Sequence, residues 1–98
     1  MNHNYRKGAR LEQKARKLLE SLGYTVIRSA GSKGPADLIA IGPTHVRLIQ
    51  VKATGALRPS DITRLREVRG PVLREIWEYY RGTWRTRTVP QTEETSTE

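Results

Sequence analysis

The sequence predicts a small α/β fold, a mixed sheet with helices packed on it in the order α-β-β-β-α-β-β, and three observations carry that expectation. Apolar residues recur at helical spacing early in the chain. They alternate at strand spacing in two later pairs of segments. In the first of those pairs they crowd both sides of the strands, as expected inside a sheet covered on both faces.

Leu11, Ala15, Leu18, Leu19 and Leu22 share one side of a helical wheel, with Arg10, Lys14, Arg16, Lys17 and Glu20 opposite, so residues 7–22 should form an amphipathic helix closed by Gly23. Residues 24–28, β-branched in the middle, read as a strand, and SAGSKGP after them as a loop. Residues 37–41 and 46–52 flank the turn GPTH and should pair as a hairpin. Ser60 can cap a second helix carrying Ile62, Leu65 and Val68, which Gly70 and Pro71 stop. Residues 72–80 and 83–89 then fold back around Arg81 and Gly82, with Tyr79 facing Trp84 and Glu78 facing Arg85. Ninety-eight residues leave room for one core, so residues 1–89 are expected to be a single domain and 90–98, rich in Thr and Glu, a disordered acidic tail.

Charge narrows the partner. The net charge is +8, and three of the ten acids (Glu93, Glu94 and Glu98) belong to the tail, which leaves seven against eighteen Lys and Arg in the body. Such an excess favours a polyanion through counterion release, and nucleic acid leads. No 18-residue apolar run suggests a membrane span, and MNHNYRKGAR has no apolar stretch after its charges, so a cytoplasmic protein is expected. The absence of cysteine removes disulfides, thiolate nucleophiles and zinc-thiolate sites. His3 and His45 have no ligand spacing around them and read as exposed loop residues. GSKGP lacks the terminal GK[ST] of a phosphate loop, which argues against a nucleotide cofactor.

The first hairpin holds the candidate chemistry. Pairing Ile41 with Val46 sets Ile39 against Leu48 and Asp37 against Gln50, their Cβ atoms about 4.5–5.5 Å apart and able to share a cation. Lys52, two residues on, projects from the same face. A plain Asp37–Lys52 ion pair with Gln50 solvated would also satisfy this pattern. Glu12 stands at the border of the helix's apolar stripe and can reach the same edge, with Gly8 one turn earlier leaving room for a phosphate backbone. Its alternative is a surface pair with Arg16.

These residues carry a resemblance. YRKGARLEQKARKLLESLGYTVIRSAGSKGPADLIAI, followed by VRLIQVKATG, resembles the archaeal-type Holliday junction resolvases of the PD-(D/E)xK nuclease superfamily over residues 5–55. The resemblance implies a restriction-endonuclease-like mixed sheet and a structure-selective endonuclease that hydrolyses phosphodiesters of four-way DNA junctions, leaving 5′-phosphate and 3′-hydroxyl ends. It matches Glu12 to the helix acid, Asp37 to the first metal-binding acid and Lys52 to the lysine. Ser32 matches a loop serine near the scissile phosphate, and Arg6 and Lys7 a basic arm. Gln50 stands where the family usually has Glu, a QxK version similar to that of Mrr-like restriction nucleases. Mg²⁺, with Mn²⁺ as a substitute, would be held by Asp37, the Gln50 side-chain oxygen and the Val51 carbonyl, with Glu12 serving a second ion or its water. Two symmetric cuts from a chain with one such site imply a homodimer. Ile76, Trp77, Tyr79, Tyr80 and Trp84 could form its interface or fill the core. Arg10, Lys33, Arg58, Arg64, Arg66 and Arg69 are expected to contact phosphates. The rival readings are a related nuclease acting on nicked, flapped, single-stranded or restriction-like DNA, and a non-catalytic DNA-binding protein of the same fold.

Overall fold

The computed structural model describes residues 3–29 and 34–92, with side chains from Gly8 onward. The elements are α1 (His3–Ser21), β1 (Thr25–Arg28), β2 (Leu38–Ile41), β3 (Val46–Ala53), α2 (Pro59–Arg66), β4 (Val72–Tyr80) and β5 (Thr83–Thr88). This is the expected order, and the five strands form one sheet, β1-β2-β3-β4-β5. Every adjacent pair is antiparallel except β3 and β4, which run parallel because α2 crosses between them. The β2–β3 register is the one expected, with Ile41 opposite Val46 and Ile39 opposite Leu48.

Each sheet face has its own core. Leu11, Ala15 and Leu19 of α1 pack on Leu38, Ala40, Ile49, Val51 and Trp77. On the reverse face, Ala36, Leu65, Ile76 and Val89 cluster beside Leu48, Leu57 and Ile62. The apolar stripe of α1 is narrower than expected. Leu18 and Leu22 are exposed, and the burial rests on residues four apart. Helix α1 also begins earlier than residue 7, so His3 belongs to a helix and not to a loop. Its end follows the sequence: Gly23 takes φ 99° while Tyr24 N donates to Leu19 O (3.1 Å) and Gly23 N to Glu20 O (3.0 Å). That is a Schellman arrangement, which glycine permits without Cβ strain.

Several expectations need correction. Arg58, not Ser60, caps α2. Pro59 takes the first helical position, and the Asp61 carboxylate accepts the Arg58 backbone N–H at 2.9 Å. His45 is half-buried, its Nε2 3.0 Å from the Tyr24 hydroxyl, since Arg47 Nε donates to that same hydroxyl and pulls the ring over the turn. Arg47 in turn pairs with the buried Glu75, which also accepts the Trp77 indole N–H at 2.9 Å. Ile76 and Trp77 are core residues and therefore no interface, because α1 and α2 cover the two faces of β4 near its middle. The ordered body runs past residue 89. Gln91 Oε1 accepts from Arg74 (2.9 Å), and Thr92 N donates to Arg66 O (2.8 Å). Residues 93–98 of the expected tail lie outside the described residues.

Candidate active site

A cleft of about 660 Å³ opens where β3 ends. Gly8, Leu11 and Glu12 of α1 form one wall. Asp37, just before β2, and Val51 to Ala53 form its floor. Thr54 to Ala56, Arg58, Ser60, Asp61 and Arg64 close the other side. A side chain at Gly8 would meet nothing within 4 Å, so this wall is open to a bulky ligand.

Local backbone geometry places Asp37. The β2–β3 ladder stops at Leu38–Ile49, and Asp37 N then donates to Ile49 O (2.9 Å), one step short of the direct partner. The slip lets Asp37 Oδ2 accept the Val51 N–H at 2.9 Å. Burial lifts the carboxyl above its ordinary value of 3.8, and Glu12 and Asp61 add to the rise, against the Val51 N–H and Lys52. Glu12 accepts Arg28 Nε at 2.7 Å, not Arg16, which pairs with Glu20. Lys52 Nζ stands 3.3 Å from Asp61 Oδ2, so its ion-pair partner is Asp61 and not Asp37.

Glu12, Asp37, Val51, Lys52, Arg58 and Arg64 are thus brought together. Gln50 is not among the lining residues. It is buried, and its Nε2 donates to Pro35 O at 2.7 Å, because the slipped register before β2 brings that carbonyl within its reach. The side chain braces the segment that delivers Asp37. Arg10, Arg66 and Arg69 are exposed away from the cleft wall. Ser32 and Lys33 lie outside the described residues, as do the side chains of Arg6 and Lys7. Asp61, Arg28 and Thr54 escaped sequence reasoning. Asp61 resembled an ordinary acid in the first turn of a helix, and only its distance to Lys52 reveals a second role.

Among the described residues, no three His, Asp or Glu side chains stand close enough to enclose a metal ion. Two carboxylates in an open cleft, one of them the buried Asp37 whose ionisation burial and then Glu12 oppose, nevertheless suit a hard cation that keeps waters and substrate oxygens in its shell, as Mg²⁺ does. The donor set fits such an ion and not a closed protein cage.

The sequence model of the family described as archaeal Holliday junction resolvase (Hjc) matches residues 3–64, more than half the chain. The chain belongs to this family. The crossover junction endodeoxyribonuclease Hjc of Methanocaldococcus jannaschii is 48% identical over 69 residues, which cover 66% of this chain and 51% of that protein. This member of the Hjc family therefore spans about half the length of that curated relative. Its fold is similar to the Holliday junction resolvase Hjc of Archaeoglobus fulgidus, with a TM-score of 0.68 at 22% identity over 90% of this chain and 80% of that one.

Proposed function

We propose that the cleft is the active site of an endodeoxyribonuclease that cuts four-way DNA junctions by hydrolysis with the help of a divalent cation. The observation that supports it most is the convergence of Glu12, Asp37 and Lys52 on one cleft in a chain of the Hjc family.

Asp37 and Glu12 would hold the cation, with the Val51 carbonyl beside them. Gln50 gives its amide N–H to Pro35 O and so braces the segment that carries Asp37, which leaves its side-chain oxygen as the atom that would ligate the cation. Bound Mg²⁺ or Mn²⁺ supplies Lewis-acid polarisation of the scissile phosphate. Lys52 places its ammonium where charge builds on the non-bridging oxygens during in-line attack. Water adds to phosphorus as the bond to the 3′-oxygen breaks. The 3′-oxygen takes up a proton, which yields 5′-phosphate and 3′-hydroxyl ends. Asp61 is a positioning residue, since its contact at 3.3 Å holds the lysine at the cleft wall in the free protein. Arg58 and Arg64 at the rim would contact flanking phosphates.

A single Glu12–Asp37–Lys52 cleft among the described residues and two cuts per junction call for a two-fold symmetric homodimer. The test is a panel of labelled substrates in Mg²⁺: a four-way junction, a nicked duplex, a flap and a single strand. Paired symmetric nicks in the junction, at rates well above the rest, are expected. Equal rates on all four would move the reading to a nuclease without junction preference, and no cleavage with Mg²⁺ or Mn²⁺ to a DNA-binding protein.

A further inference from the structure

The end of the sheet that carries the cleft also carries the β4–β5 turn. In the parallel register of β3 and β4, Lys52 aligns with Glu78 and Ala53 with Tyr79. Thr54, a cleft residue, donates its N–H (3.2 Å) and its hydroxyl (2.7 Å) to the Tyr79 carbonyl. Tyr80 therefore begins where the cleft wall ends.

Tyr80 is exposed, and two guanidinium groups lie over its ring, Arg81 at 5.2 Å and Arg85 at 4.7 Å from the centroid. Among the described residues neither arginine makes a salt bridge, even though Glu78 faces Arg85 across the strands. Arg16, Arg28, Arg47 and Lys52 are each held by a carboxylate. The difference has a chemical meaning. A carboxylate fixes a cation by neutralising it, whereas an aromatic face fixes it and leaves the charge and the N–H edges available. Arg81 also adopts φ 49°, a conformation in which a tight turn favours Asn or Gly. A long cation is kept there at a local conformational cost.

We infer that the Tyr80–Arg81–Arg85 cluster at the tip of the second hairpin is a phosphate-binding platform for the DNA backbone as it leaves the cleft. The inference rests on the reading that the cleft takes DNA. Tyr80 holds both guanidinium groups beside the cleft mouth, so that they meet the phosphates without first paying the full entropy of ordering two long side chains.

The experiment measures binding of a labelled four-way junction without divalent ions, as a function of salt, so cleavage plays no part. The double variant Arg81→Asn/Arg85→Gln keeps a residue that tolerates the turn and removes both charges. It is expected to lower the slope of log affinity against log salt by about 1.8, two contacts at about 0.9 each. Tyr80→Leu, which keeps both arginines and removes the ring, is expected to weaken binding several-fold. Arg16→Ala, on the exposed face of α1, is expected to leave the slope within error. A double variant whose slope matches that of Arg16→Ala overturns the platform while leaving DNA binding by the cleft intact. A parent protein that binds no junction overturns both.

Discussion

Asp37 and Gln50 are two residues whose behaviour follows from their immediate surroundings. Burial and Glu12 raise the Asp37 carboxyl above 3.8, so the folded protein binds that proton more tightly than the unfolded chain does. Stability linked to this group is then fully present below the unfolded value and is lost as pH rises through the folded one. Asp37→Asn keeps an acceptor for the Val51 N–H without the charge. In a metal-free buffer it is expected to raise the melting temperature at pH 7, with the gain shrinking as pH falls toward 3.8, as thermal denaturation across pH would show. Gln50→Glu works the other way. It sets a carboxylate against Pro35 O in a buried position and should cost about 1–3 kcal/mol in urea denaturation without metal. That Asp37, Glu12 and Lys52 could meet at one sheet end was legible from the strand register and the helical wheel, whereas their expected roles came from the family resemblance. The turn of Gln50 toward Pro35 has no such signal. It depends on a one-residue slip in the ladder that apolar alternation does not encode.

The segment between α2 and β4 depends on one buried arginine. Arg74 donates to the carbonyls of Val68 (2.7 Å), Gly70 (3.0 Å) and Val72 (2.7 Å), and to Gln91 Oε1 (2.9 Å). Arg74→Met would strand these acceptors and should cost on the order of 3 kcal/mol. Hydrogen exchange is expected to rise first at Val72 and at Thr92, whose amides bond Gly70 O and Arg66 O in this segment. At the opposite end, a methyl at Gly42 would come within 2.6 Å of the Tyr24 ring, which the contacts with Arg47 and His45 hold in place. Gly42→Ala should therefore cost about 1–3 kcal/mol, measurable by urea denaturation. At this scale strand pairing was legible, because the hairpin registers follow from turn length and alternation. The capping of α2 was not: Ser60 is a good cap residue, but Pro59 takes the first helical position and so leaves the cap to Arg58.

At the scale of the whole molecule, a βαβ crossover and two antiparallel edges place Asp37 and Lys52 at one sheet end beside Glu12, with Arg58 and Arg64 on the opposite side of the cleft. The fold class was legible because both faces of β2 and β3 are apolar and demand cover. The second role of the aromatic hairpin was not, because core and surface aromatics look alike until Trp77 is seen buried and Tyr80 exposed. If one junction needs two clefts, the chain of 11.2 kDa should sediment at about twice its mass. The most direct test of the cleft pairs two readings on the parent and on Asp37→Asn: single-turnover cleavage of a four-way junction in Mg²⁺, and junction binding without it. The account predicts a cleavage loss on the order of a thousandfold with affinity unchanged within a few-fold. Cleavage by Asp37→Asn at the parent's rate would contradict it.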